Sequence, residues 1–286
     1  MMMHVMDSSN KKIAFRQIVL PWEIVRHLYQ YKTLIYELTK RDIASRYRGS
    51  YLGILWSFLR PLCMLCVFGV VFGYIFPNKL GRFPNESKID FALTLFCGLM
   101  IFDMLGECLS RAPTLVLSSP NYVTKVVFPL EILPVTVVLA ALCHLVISLI
   151  PLLIGVAIVH GSLPLTALYL PLILVPVVLL CLGVTWFFSS LGVFFRDINS
   201  FVPVLMTILM YASAIFYSID RIPPRLQPMV YVNPLAILIH LWRNAIMWRV
   251  PLEWARYGAH FAACAGFMIL SYVIFMRTKS AFADVI

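Results

Sequence analysis

The residues with chemistry to offer lie inside apolar sequence. Asp103, Glu107 and Arg111 follow one another at i, i+4 and i+8, which puts them near one face of a helix. Carboxylates at membrane depth are costly and face the protein interior or a water-filled path. Two readings stand. Glu107 and Arg111 form a structural ladder, while Asp103, the deeper residue, is better placed to act on a cargo. His144 is a second intramembrane titratable group, either functional or bonded to a neighbouring backbone carbonyl. Cys63 and Cys66 make a CxxC with no second Cys or His pair nearby, so membrane packing explains them better than metal or redox use. Seven cysteines, all in or beside apolar runs, argue against a disulfide framework. The chain has no GxxxxGK[ST], HExxH or GxSxG. If ATP drives it, another subunit supplies the ATP site. A membrane glycosyl or acyl transferase would need Asp103, Glu107 and His144 to converge.

The elements that position these residues are membrane helices. The 286 residues are 61% hydrophobic and 13% charged, with mean hydropathy +0.89, whereas a soluble domain carries about a quarter charged residues. The expected fold is an all-α integral membrane protein. Residues 1–50 form a cytoplasmic region, and residues 51–286 a six-span transmembrane domain. The spans are expected at about 51–76, 91–109, 133–159, 165–195, 201–217 and 255–276. Gly69 and Gly73 make a GxxxG, a weak sign of close helix approach. Pro171 and Pro176 are expected to kink the fourth span, and prolines at 113, 120, 129 and 134 to break the segment after the second. Between spans five and six, Leu235 to Met247 is too short to cross a bilayer. Two short helices that re-enter or lie in the outer interface are expected there.

Ten of the 23 Lys and Arg lie at or before Arg60. Six spans with both termini cytoplasmic put fifteen basic residues inside and eight outside, the bias expected for that orientation. The net charge is +10, with the excess concentrated before the first span, which suits an anionic membrane surface more than a nucleic acid. Residues 32–47 carry Ile35, Leu38, Ile43 and Tyr47 roughly on one helical face, which reads as an amphipathic helix in the plane of the leaflet. Trp22, after Pro21, is a candidate interfacial anchor for a short helix before it.

Five stretches, in order, carry a resemblance. They are ELTKRDIASRYRGSYLGILWSFLRPL, NYVTKVVFPLEILP, LGVFFRDI, YASAIFYS and YVNPLAILIHLWRNAI. Together they resemble the permease subunit of ABC exporters for O-antigen, capsule and teichoic acid. The resemblance implies a pump of two copies of this chain and two copies of a cytoplasmic ABC ATPase, which uses ATP and Mg while this chain binds no cofactor. It implies a lipid-linked polysaccharide cargo, most simply O-antigen, and the inner membrane as location. A drug or lipid permease is the competing transporter reading. Carried over residue by residue, ATPase coupling falls to Leu38, Arg41, Asp42, Ile43, Arg46 and Tyr47, and to Asn121, Tyr122, Lys125 and Phe128. Phe72, Tyr74, Phe76, Asp103, Tyr211, Phe216 and Tyr217 become channel candidates, although aromatics in apolar spans also simply pack or anchor. Tyr231, Asn233, Pro234 and Trp242 become an outer gate.

Overall fold

The computed structural model describes residues 21–46, 51–71, 87–124, 128–217, 222–225 and 227–285. Among these every regular element is a helix. In order they are α1 (Pro21–Gln30), α2 (Lys32–Arg46), α3 (Trp56–Val70), α4 (Lys88–Leu115), α5 (Pro120–Thr124), α6 (Ile132–His160), α7 (Leu170–Phe194), α8 (Ile198–Ala212), α9 (Gln227–Val232), α10 (Pro234–Ile246), α11 (Trp254–Thr278) and α12 (Phe282–Val285). Four stretches, built on α4, α6, α7 and α11, are long and apolar enough to cross a membrane. The chain is a multi-pass membrane protein. The shorter apolar helices α3 and α8 have 15 residues each, or roughly 22 Å at 1.5 Å per residue. The remainder of the expected first span, 72–76, lies outside the described residues. The expected fifth span runs to 217, but its helix ends at Ala212, where Ser213 and Ala214 leave helical geometry.

Helix ends follow local chemistry. Ser87 Oγ accepts from the Asp90 N–H and Asp90 Oδ2 from the Ser87 N–H, a reciprocal cap that starts α4. Asp90 Oδ1 also lies 3.1 Å from His160 Nε2, joining the start of α4 to the end of α6. α6 stops at Gly161, whose φ of +71° is left-handed. Pro171 falls in the first turn of α7, where a missing N–H costs nothing, so only Pro176 is an interior proline there. α4 runs through Arg111 and Pro113 to Leu115, four residues past Arg111 and beyond the expected end at 109.

α4 is the central helix. Within its membrane window 78% of residues are buried, against 28–39% for the other three long helices. α6, α7 and α10 pack around it in the larger core. A second core gathers Ile24 of α1, Ile35 of α2, Trp186 of α7, Tyr272 and Phe275 of α11, and Phe282 of α12 at the end that holds both described termini. Trp186 is fully buried; its indole N–H donates to the Glu131 carbonyl at 3.1 Å and its ring meets Tyr272 edge-on. In lipid there is little hydrophobic force between helices, so close approach and polar bonds must hold them. Gly192 shows the first device: a Cβ there would collide with the backbone of Pro113 on α4.

Lys32–Arg46 is a helix as expected, but its inward stripe is not purely apolar. It packs on α6. Ile35 and Thr39 are buried, and Asp42 and Arg46 continue the same face at i+7 and i+11 into a charged cluster. Three of these four residues are polar: Thr39 donates to the Ile35 carbonyl of its own helix at 2.8 Å, and Asp42 and Arg46 meet partners on α4.

Candidate functional site: charges joining three helices

Two acid–base pairs at i, i+4 meet across a helix boundary. α2 carries Asp42 and Arg46; α4 carries Glu107 and Arg111. Arg111 grips Asp42 with both arms, Nη2 to Oδ1 at 2.6 Å and Nη1 to Oδ2 at 2.8 Å. Arg46 Nη2 lies 2.5 Å from Glu107 Oε1 and 3.4 Å from Asp42 Oδ2. The within-helix contact of Arg111 with Glu107 is the loosest, at 3.9 Å. The expected Glu107–Arg111 ladder is present at that longer distance, but each residue's tightest partner lies on another helix. The physical reason is the neighbouring α2, which sequence spacing along α4 alone does not reveal. Burial opposes the Arg46 charge, but Glu107 and Asp42 outweigh it and hold the guanidinium above its ordinary value, so it stays cationic.

His144 of α6 completes the set. Its Nδ1 lies 2.8 Å from Glu107 Oε2 and 3.1 Å from Arg46 Nη1. A single ring nitrogen cannot serve both in one state. As Nδ1–H it donates to Glu107; with a lone pair there it accepts from Arg46. The tautomer of His144 thus selects which of the two helices it ties to α6. All five side chains are only 20–32% exposed, and two carboxylates against two guanidiniums leave the set neutral apart from the ring.

Arg46, Glu107 and His144 of the cluster line a cavity of about 1040 Å³ between α3, α4 and α6, with Met206 of α8 also on its lining. Asp103 and Arg60 line it too, amid Trp56, Met64, Phe68 and Met100. Asp103 is exposed to that space, apart from the Glu107–His144 pair. Among the described residues no group of three or more His, Cys, Asp or Glu is placed to hold a metal.

The residues read as coupling positions divide. Arg41 is exposed and donates to the Tyr122 hydroxyl at 3.1 Å, and Tyr122 stacks on Phe128 with centroids 4.4 Å apart. These three meet at the end that holds the described termini. Asn121 is exposed beside them, Leu38 packs partly buried against the second core, and Ile43 is half-buried. Asp42 and Arg46 point into the bundle instead. Tyr47 and Lys125 lie outside the described residues, as do Phe72, Tyr74 and Phe76. Tyr211 is exposed and 6.0 Å from the Phe216 ring, and Tyr217 donates its hydroxyl to the Tyr211 carbonyl.

Of the outer set, Asn233 caps α10 by accepting from the Leu235 N–H at 3.0 Å, and Pro234 occupies the first turn. Trp242 is fully buried, its indole nitrogen without a hydrogen-bond partner among the described residues. Tyr231 is half-buried under Arg256, which stands 5.4 Å from its ring centre. Sequence reasoning missed two anchors. Glu131, 2% exposed, is bonded by Lys279 Nζ at 2.6 Å and faces His27 at 3.7 Å, joining α1 and the C-terminal end. Arg243 is buried among backbone carbonyls. Its signal was a lone arginine in the apolar run Leu235 to Ile246.

The family model described as ABC-2 type transporter matches residues 33–247. An O-antigen export system permease protein RfbA of Myxococcus xanthus is 29% identical over 219 residues, 76% of this chain and 81% of that protein. One from Klebsiella pneumoniae is 27% identical over 255 residues, 88% of this chain and 95% of its own length. The polysialic acid transport protein KpsM of Escherichia coli is 24% identical, covering 76% of this chain and 82% of that protein. With most of its length matched, from α2 through α10, the chain belongs to the ABC-2 type transporter family.

Proposed function

We propose that this chain is the permease subunit of an ATP-driven exporter that carries a lipid-linked polysaccharide of O-antigen type outward across the inner membrane. The observation that carries the reading is the similarity to O-antigen export permeases along 80–95% of their own length. In this reading the chain crosses the membrane six times with both termini cytoplasmic, and its cytoplasmic region, residues 1–50, precedes the transmembrane domain 51–286. Two copies assemble with two ATPase subunits. ATP and Mg belong to the ATPase; this chain catalyses no reaction and binds no cofactor of its own. α9 and α10 re-enter the outer leaflet, and their Tyr231, Asn233, Pro234 and Trp242 form the outer gate.

The coupling surface is the cytoplasmic end of α2 together with α5. The Arg41–Tyr122 hydrogen bond and the Tyr122–Phe128 stack support it by joining the two segments. Closure of the ATPases pushes on this surface. The push reaches α4 through Asp42–Arg111 and Arg46–Glu107, because ion pairs with short, two-armed geometry resist shear better than apolar contact. α4 and α6 then reorient around the cavity and alter the path along α3 and α8, where Asp103, Tyr211, Phe216 and Tyr217 would meet sugar. A capsular polymer is the second reading, favoured by the polysialic acid relative.

In a strain lacking this chain, the lipid-linked polymer should accumulate inside the cell and surface polymer should vanish, with both restored by the wild-type chain. Surface polymer at the normal level without it would refute the reading.

A further inference from the structure

Arg243 is 2% exposed and lies in α10, whose other residues are apolar except His240 and Asn244. Its hydrogen bonds do not go to a carboxylate. Nε donates to the Thr94 carbonyl of α4 at 3.0 Å, Nη1 to Ala214 at 2.9 Å and Nη2 to Ile215 at 2.6 Å. The guanidinium lies against Gly98, where a Cβ would stand 2.5 Å from Nη2. A bare cation at such a site is expensive, so the contacts it makes have to be worth holding.

What it holds is the broken end of α8. That helix ends at Ala212, and Ala214 is left-handed with φ of +53°, a strained setting for a residue with a Cβ. The carbonyls at the break need donors, since lipid supplies none. The fold provides one for each of four. Tyr211 receives the Tyr217 hydroxyl, and Ala212 receives Asn233 Nδ2 at 3.2 Å. Ala214 and Ile215 receive Arg243. Asn233 Nδ2 also reaches Ser213 Oγ at 3.0 Å. Two side chains of the α9–α10 segment therefore satisfy the end of α8, and one of them simultaneously clamps α4.

We propose that Arg243, assisted by Asn233, is a positioning residue for transport: it welds the far end of α8 to α10 and α4, so that these elements move as one body and fix where Tyr211, Phe216 and Tyr217 stand. This rests on the export reading above. The three Arg243 bonds are buried and their acceptors satisfied, so the joint transmits movement instead of absorbing it. Lysine has enough donors but no planar fork, and cannot reach three carbonyls in two directions at once.

The test measures surface polymer and ATP hydrolysis together, in the complex of this chain with its ATPase, at matched amounts in the membrane. Arg243→Gln should keep hydrolysis within about twofold of wild type while export per ATP falls about tenfold or more. Arg243→Lys should fall between the two. Asn233→Ala should shift the same ratio in the same direction by less. Wild-type export per ATP in both Arg243→Gln and Asn233→Ala overturns the proposal. So does a loss of export and hydrolysis in step, which marks a merely structural role. If Arg243→Gln does not reach the membrane, the ratio in Asn233→Ala decides. Failure of the wild-type chain to restore surface polymer refutes the export reading instead.

Discussion

Breaking the Asp42–Arg111 pair should uncouple α2 from α4. Its two bonds are 2.6 and 2.8 Å long between side chains 20% and 32% exposed. Fully exposed pairs are worth about 0.2–1 kcal/mol, and breaking a fully buried one costs about 3–5 kcal/mol. A half-buried two-armed pair falls near 2 kcal/mol, which is a change of about 30-fold in the ratio of docked to undocked α2. Charge balance sharpens the expectation. Asp42→Ala leaves the cluster one positive charge in excess; Arg111→Ala leaves one negative; the double variant is neutral again. Each single change should lower export about 30-fold at equal membrane level, and the double variant should fall no further than either alone. Exchanging the two residues is no rescue, since an arginine at 42 would face Arg46 and an aspartate at 111 would face Glu107 at i, i+4. Export measured as surface polymer over time, across the four variants, closes the cycle. Independent effects multiplying to about 900-fold, or single variants that export normally, would refute transmission through this pair.

Three further outcomes follow from particular contacts. His144→Gln separates donor and acceptor onto two atoms, so it can serve Glu107 and Arg46 together; it should unfold at or above the wild-type temperature in detergent, whereas His144→Leu should lose about 1–3 kcal/mol by stranding Glu107. Gly192→Ala drives a methyl into the Pro113 backbone and should cost about 1–3 kcal/mol, seen as a lower unfolding temperature. Leu38→Asp, on the partly buried face of α2 against the second core, should leave membrane insertion intact and abolish export; loss of insertion on fractionation would instead show that the stretch serves only to orient the chain.

Apolar length made the four long helices legible, because a stretch such as Ile132–His160 has no other stable setting. Two helix ends follow from local chemistry: His160-Gly161 ends α6, and Asn233-Pro234 begins α10. The pairing of charges was not. Asp103, Glu107 and Arg111 were visible as a face of α4, but their partners depend on which helix packs there, and periodicity carries no tertiary address. Ile35, Leu38, Ile43 and Tyr47 read as the apolar face of a helix lying in the leaflet, with water as the alternative to lipid. The bundle offered a third environment, in which Asp42 and Arg46 find opposite charges. Arg243 escaped for a related reason. Its partners are backbone carbonyls, which every sequence has, and only the break at Ala214 makes them available.

These features lie along one rod. Thr94 and Gly98, held by Arg243, and Glu107 and Arg111, held by α2, are all on α4. Thr94 and Glu107 are thirteen residues apart, or roughly 20 Å along a helix. Nothing flexible interrupts that stretch, since Pro113 lies beyond it and α4 is the most buried of the long helices. A displacement of α2 is therefore delivered to a stiff element whose other end is clamped to the end of α8. The polar bonds at both ends set the direction of that transfer, because the apolar flanks of α4 can slide against lipid-like neighbours at little cost. Weakening either end should thus leave the helices in the membrane and separate motor from path, while a clash outside this stretch, as at Gly192 against Pro113, should act first on stability.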